Sequence, residues 1–106
     1  MDLKIIRAKE LKAKPKDNEL VFGRIFTDHM FQMEYETGKG WHNAVIKPFG
    51  NFSLSPACSV LHYSQTVFDG LKAYHTPRGV NLFRPWDNFR RLNVSSRRMS
   101  IPEFDE

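Results

Sequence analysis

The pattern of apolar and polar positions divides this chain of 106 residues into a charged arm followed by a packed region. Residues 1–20 carry six basic and four acidic residues around one short apolar pair. This composition, with Pro15 near its end, predicts an arm with a loop. From Val21 the sequence becomes rich in aromatic and β-branched residues, so we expect residues 21–106 to hold the sheet and the helices.

Two β-hairpins are predicted within the packed region. Ile25–Tyr35 partly alternates between apolar and polar residues, and Trp41–Lys47 can return as its antiparallel partner after a glycine-containing turn. Further along the chain, Leu71–Tyr74 and Val80–Phe83 form a second pair of short strands around a turn with proline and glycine. These pairs predict an open antiparallel sheet.

Two helices are predicted from apolar residues at helical spacing. The first runs from about Val60 to Phe68, after which Asp69-Gly70 predicts a turn. The second begins at Pro85, whose fixed φ suits a first helical turn, and its stripe consists of Phe89, Leu92, Ser96 and Met99. An open antiparallel sheet with helices places the chain in the α+β class.

Basic residues concentrate near the C-terminus without a recognisable nucleic-acid-binding pattern. The formal net charge is +4, and the clustered arginines are Arg84, Arg90, Arg91, Arg97 and Arg98. No zinc-finger, RNP or basic-zipper motif accompanies them. We therefore expect no nucleic-acid partner.

The single cysteine restricts covalent and metal chemistry. Cys58 alone excludes an internal disulfide and fits a reducing compartment. It could be a nucleophile or pair with His62 as a metal ligand, but the other histidines lack ligand spacing. We therefore expect a small buried residue and no metal site.

The hydropathy of the chain bears on its location. No apolar run reaches membrane-spanning length, and the N-terminus lacks the apolar core of a secretory signal. We expect a soluble cytoplasmic protein with no membrane partner, and a mitochondrial location stays open.

Three ordered blocks are the most informative feature of the sequence: Val21–Met30, Ser59–Tyr74 and Leu82–Leu92. Together they resemble branched-chain amino acid aminotransferases, which are fold-type IV pyridoxal-phosphate enzymes. Asp69 stands where that family usually has glutamate. The resemblance implies a truncated N-terminal small domain, with residues 1–20 as its arm and residues 21–106 as a partial domain.

The resemblance also implies a reaction. The complete enzyme transfers an amino group between leucine, isoleucine or valine and 2-oxoglutarate, so its partners are amino acids and 2-oxo acids. It uses pyridoxal 5'-phosphate and forms a homodimer.

Site residues follow from the same resemblance. Arg91 is implied as the ligand of the cofactor phosphate, and the substrate pocket is implied to include Phe22, Tyr63 and Phe68. The lysine that anchors the cofactor is expected beyond residue 106, so no catalytic residue is assigned and the chain alone is expected to be inactive. Lys72 is expected to be an exposed strand residue.

Structural and functional alternatives stay open at this point. Arg91 could be an ordinary solvated helix residue, and each of the three aromatic rings could be core. Another fold-type IV enzyme, such as a D-amino acid aminotransferase or an aminodeoxychorismate lyase, shares the general plan. A non-catalytic binding or dimerisation module derived from this domain would pair through exposed strands.

Overall fold

The computed structural model describes residues 2–105, and its contacts divide the chain into two units with the boundary between Ser53 and Leu54. The first unit holds a three-stranded sheet, and the second holds a two-stranded sheet and two α-helices. The predicted α+β class is confirmed, with the strands in two small open sheets rather than in one.

Three strands form the first unit in the order β1-β3-β2: β1 (Lys4–Ile5), β2 (His29–Glu36) and β3 (Gly40–Pro48). β2 and β3 are antiparallel, as predicted. The turn between them contains Gly38 at φ +87°, a left-handed conformation that glycine adopts without strain. β2 begins later than the predicted Ile25, and side-chain contacts hold residues just before it. The Asp28 carboxylate, for example, accepts a hydrogen bond from the backbone N–H of Lys12 at 2.9 Å.

The N-terminal arm contributes a strand, which the sequence pattern did not predict. β1 pairs in parallel with β3, and the Ile6 N–H donates to the Ile46 carbonyl at 2.8 Å. The Ala8 N–H donates to Nε2 of His29 at 2.9 Å. A two-residue strand is too short to show alternation, so its position becomes visible only through these bonds. A short 3-10 helix follows at Asp17–Glu19.

The second unit contains four elements: α1 (Ser59–Tyr63), β4 (Ala73–Thr76), β5 (Gly79–Leu82) and α2 (Pro85–Arg98). β4 and β5 are antiparallel and form the second predicted hairpin, displaced by one or two residues. Lys72 is exposed, as expected, but it precedes β4 and does not lie in a strand. Cys58 precedes α1 and is half-buried, so the expectation that it is buried was wrong.

Helix α1 is shorter than predicted. It ends at Tyr63, because Ser64 takes a left-handed conformation (φ 51°, ψ 33°) that stops the helix. Residues 64–72 form an irregular segment, and the predicted turn at Asp69-Gly70 is absent. Side-chain contacts hold this segment instead, including a bond from Nε2 of Gln65 to the Met99 carbonyl at 3.0 Å.

The predicted inward stripe of α2 is present, and one polar residue outside the predicted stripe is buried beside it. Ser96 is buried, and Phe89, Leu92 and Met99 are partly buried. Asn93 is also buried, and its side-chain amide donates to the Phe104 carbonyl at 2.9 Å and accepts from the Phe104 N–H at 3.1 Å. These bonds fold the segment after α2 back onto the helix.

Little apolar surface is fully buried in the described part of the chain. Ala44 is its single buried hydrophobic residue, whereas many large side chains of both units are exposed. Ring pairs give local packing, such as Phe26 with Phe49 at 5.0 Å and Tyr35 with Trp41 at 5.2 Å between centroids. None of the helices in residues 2–105 combines the length and the apolar character needed to cross a membrane.

Candidate functional site

The candidate site lies in the second unit, where the irregular segment 64–72 contacts one side of α2. Asn88 and Arg91 are three residues apart on α2, so their side chains are neighbours on the helix surface. Both reach Asp69 of the irregular segment. The cluster is therefore assembled from two parts of the chain about twenty residues apart.

Arg91 and Asp69 form a two-point ion pair. Nε of Arg91 donates to Oδ2 at 2.6 Å, and Nη2 donates to Oδ1 at 2.7 Å. Two parallel bonds between a guanidinium edge and a carboxylate are short, strong and orienting. The Asp69 side chain is only 10% exposed and that of Arg91 is 65% exposed, so the carboxylate is enclosed while the cation reaches solvent.

Asn88 secures the carboxylate from a second direction. Its Nδ2 donates to Oδ1 of Asp69 at 2.9 Å and to the Gly70 carbonyl at 2.6 Å. Oδ1 therefore accepts from both helix residues, and the backbone beside it is held as well. The Asp69 carboxylate accepts its side-chain hydrogen bonds from residues of α2. These contacts therefore explain why Asp69-Gly70 does not form the predicted local turn.

The ion pair changes the protonation equilibrium of both partners. Hydrogen bonding from Arg91, and then from Asn88, lowers the pKa of Asp69 from its ordinary 3.8 to about 2. The hydrogen bond to Asp69 raises the pKa of Arg91. At neutral pH the pair is therefore an ionised carboxylate against a guanidinium cation.

The guanidinium of Arg91 keeps donors for a further anion. It has five N–H groups, and the contacts with Asp69 use one on Nε and one on Nη2. Within residues 2–105, Nη1 makes no hydrogen bond. A planar, charged and exposed donor of this kind suits the paired hydrogen bonding of a phosphate dianion. The arrangement therefore fits the phosphate of the implied cofactor.

The three predicted pocket aromatics are all exposed. Phe68 directly precedes Asp69 and is 91% exposed, and Tyr63 at the end of α1 is 83% exposed. Phe22 belongs to the first unit, where it lies in a turn and is fully exposed. The alternative that these rings are core within the described residues is wrong, and their role in a substrate pocket stays a prediction.

Sequence reasoning missed two members of the site, Asp69 and Asn88. Two signals could have found them. Asp69 is the only acidic residue in the block Ser59–Tyr74, and Asn88 precedes Arg91 by the spacing that places two side chains on one face of a helix. What the sequence lacks is any sign that segment 64–72 runs beside α2.

Three of the other four clustered arginines also contact acidic side chains. Arg84 and Arg90 contact Asp87, and Arg97 pairs with Glu103 through Nε and Nη2 at 2.9 and 2.7 Å. Arg97 with Glu103 therefore repeats the geometry of the site pair on the same helix, with Arg97 67% exposed. The basic run is partly neutralised within the unit.

The described residues also bear on the metal alternative. His62, considered as a partner of Cys58, has its Nε2 within hydrogen-bonding distance of the Pro56 carbonyl. No group of three or more histidine, cysteine, aspartate or glutamate side chains in residues 2–105 could hold a metal ion.

Comparisons with curated proteins give close relatives of one kind. A Staphylococcus aureus protein named probable branched-chain-amino-acid aminotransferase is 47% identical over 104 residues, which are 98% of this chain and 29% of that protein. Branched-chain-amino-acid transaminase 1 of Bacillus subtilis is 54% identical over 96 residues, which are 90% of this chain and 27% of that protein.

A mouse relative extends the range of organisms. It is named branched-chain-amino-acid aminotransferase, mitochondrial, and is 48% identical over 107 residues, which are 99% of this chain and 27% of that protein. No protein-family model matches the chain. The chain thus spans 27–29% of the length of these curated relatives.

The pKa of Asp69 is open to direct measurement. We expect its carboxyl to titrate with a pKa of about 2 in carbon-detected NMR, and Arg91→Gln to return it toward 3.8. Because the folded-state pKa is lowered, the pair stabilises the fold fully above 3.8, and this stabilisation is lost as the pH falls toward 2.

The ion pair between Arg97 of α2 and Glu103 is the control for this titration. Arg97→Gln should raise the lowered pKa of Glu103 and leave Asp69 unchanged. An Asp69 carboxyl that titrates near 3.8 in the unaltered chain would contradict the ion pair.

Proposed function

The chain is homologous to branched-chain-amino-acid aminotransferases over nearly its whole length, and from this premise we propose that it supplies the phosphate-holding part of such an enzyme. The relatives are more than three times as long, so the activity belongs to an assembly with further residues. The proposed reaction is amino transfer between leucine, isoleucine or valine and 2-oxoglutarate.

The observation that carries the proposal is the state of Arg91. Its guanidinium is exposed, charged and oriented by Asp69, and its Nη1 end is unused within the described residues. A phosphate dianion needs a donor of this type, because charge-assisted paired hydrogen bonds fix both its position and its orientation. We assign Arg91 to the phosphate of pyridoxal 5'-phosphate.

The cofactor, when bound, supplies the electron-accepting ring on which the amino group is exchanged. The contribution of this chain is binding and orientation. Arg91 would hold the phosphate and would thereby restrict the position of the bound cofactor. The proposed role of this chain includes no proton transfer.

The exposed aromatic residues fit the side chain of a branched aliphatic substrate. Such a side chain has no polar group, so its pocket must be built from apolar and aromatic surface. We assign Phe22, Tyr63 and Phe68 to this pocket. Their high exposure in the chain supports the assignment, since each ring is available to contact other groups.

A second candidate function is a non-catalytic docking module. It is favoured by the exposed apolar side chains of both units, which would gain stability by contact with another protein surface. The same surface suits a homodimeric enzyme whose remaining residues cover it. The bacterial relatives support a cytoplasmic location for that enzyme.

A chimeric enzyme tests the proposed function. In it, this chain replaces the matching segment of Bacillus subtilis transaminase 1, to which it is 54% identical. We expect the purified chimera to hold pyridoxal 5'-phosphate and to transfer the amino group of leucine to 2-oxoglutarate, measured as glutamate formed. The chain alone should show no turnover.

Two results of this assay would count against the proposal. A folded chimera that retains neither cofactor nor turnover would reject the enzymatic role and favour the docking module. Turnover by the chain alone would mean that the cofactor lysine lies within these residues. The parent enzyme, prepared in parallel, sets the activity scale.

Loss of the Arg91 guanidinium should weaken cofactor retention. In the chimera, Arg91→Ala removes charge-assisted hydrogen bonds to the phosphate, so we expect the dissociation constant of pyridoxal 5'-phosphate to rise on the order of ten- to a hundredfold. Arg97→Ala, on the same helix, is the control and should leave the constant unchanged. Equal affinity in the Arg91 variant would reject the assignment.

Loss of the Phe68 ring should affect the two amino donors differently. Phe68→Ala in the chimera removes apolar surface that leucine uses more than glutamate does, so the KM for leucine should rise more than the KM for glutamate. Phe83→Ala removes another exposed ring of the second unit and serves as control. Equal changes for both donors would mean that Phe68 has only a structural role.

A further inference from the structure

The carboxylate of Asp69 contacts the very cation that the proposed function assigns to a phosphate. A negative charge beside Arg91 by itself repels a second anion. The contact is nevertheless well built, since the carboxylate is enclosed and receives two bonds from Arg91 and one from Asn88. The presence of a firmly held carboxylate in a proposed anion-binding site therefore requires a physical explanation.

The geometry of the ion pair supplies that reason. Asp69 takes the edge of the guanidinium formed by Nε and Nη2, and it leaves the Nη1 end unused within residues 2–105. A long exposed arginine side chain otherwise samples many rotamers, and it loses this freedom when it binds an anion. The contact with Asp69 restricts those rotamers before any ligand arrives.

Asn88 extends the same constraint to the backbone. It bonds to the Asp69 carboxylate and to the Gly70 carbonyl, so the position of the carboxylate is tied to α2 by a second side chain. Because Asn88 and Arg91 lie on the same side of the helix, one rigid element carries both contacts.

We propose that Asp69 is a positioning residue for Arg91: it holds the Nε and Nη2 edge of the guanidinium so that the Nη1 end is presented to the phosphate of the cofactor. This inference rests on the proposed function of Arg91 and adds to it a residue that does not touch the cofactor. Asn88 keeps the Asp69 carboxylate in place.

Positioning and repulsion predict opposite effects when the negative charge of Asp69 is removed. Loss of positioning should weaken phosphate binding, whereas relief of repulsion should strengthen it. Arg91 is largely exposed, so water and salt weaken the repulsion between carboxylate and phosphate. Immobilising one rotamer-rich side chain on binding corresponds to a factor of about two to ten in affinity. We therefore expect the loss of orientation to outweigh the relief of repulsion.

The test measures cofactor affinity in the chimeric holoenzyme, by titration of the apoenzyme with pyridoxal 5'-phosphate. Asp69→Asn keeps the shape of the side chain and removes its charge, and the dissociation constant should rise about two- to tenfold. Asp69→Glu retains a carboxylate and should bind within about twofold of the unaltered chimera. Glu103→Gln removes the matched ion pair of α2 and should have no effect.

A double-mutant cycle separates positioning from a general structural role. If Asp69 acts through Arg91, then Asp69→Asn should have no further effect on affinity once Arg91→Ala is present. A carboxylate that merely supports the local fold would weaken binding in both backgrounds. Circular dichroism of each variant checks that the fold is kept. If the asparagine variant unfolds, Asn88→Ala carries the test, because it removes the side chain that holds the Asp69 carboxylate and should weaken binding only while Arg91 is present.

The outcomes distinguish the inference from the function on which it rests. Weaker binding by Asp69→Asn, recovery by Asp69→Glu and no effect without Arg91 would support the positioning role. Unchanged or tighter binding by Asp69→Asn, with Arg91→Ala still harmful, would overturn the positioning role alone. Unchanged binding by Arg91→Ala would overturn both the phosphate assignment and the inference.

Discussion

The Asp69 carboxylate joins two parts of the second unit through three side-chain hydrogen bonds, two from Arg91 and one from Asn88. The irregular segment 64–72 belongs to no helix or strand, so side-chain contacts of this kind determine its path beside α2. Because fully buried apolar surface is scarce among the described residues, polar contacts of defined geometry decide local structure here. The same carboxylate contacts Arg91, the residue that we assign to the cofactor phosphate, and this contact is the basis of the proposed positioning role.

Much of the fold and part of the site could be predicted from the sequence. Strand alternation and turn residues gave both hairpins, and the helical stripe from Phe89 to Met99 gave α2, because these signals are local. Arg91 came from resemblance alone. Its pairing with Asp69 could not be predicted, because this pairing depends on how segment 64–72 runs beside α2, and no local pattern encodes that course. The early end of α1 likewise follows from the left-handed Ser64, a residue type that carries no strong signal for that conformation.

The exposed aromatic rings connect the composition of the chain with its proposed role. A sequence with 13% aromatic residues would ordinarily bury most of them, yet Phe22, Tyr63 and Phe68 are among the most exposed residues of the described chain. The chain itself does not bury the apolar surface of these exposed rings. Another group, either a substrate or protein residues outside this chain, is needed to bury it. The hydrophobic free energy of those contacts would then be gained on assembly or binding rather than on folding of the units.

The parallel pairing of β1 with β3 has a consequence for the order of events in the first unit. The β2 and β3 strands are neighbours in sequence and close a short turn, whereas β1 must bring residues near the N-terminus to the far side of β3. Closing the longer loop costs more chain entropy and returns only a two-residue ladder. The arm should therefore join the sheet after the hairpin, and the amide protons of β1 should exchange with solvent before those of the β2–β3 hairpin.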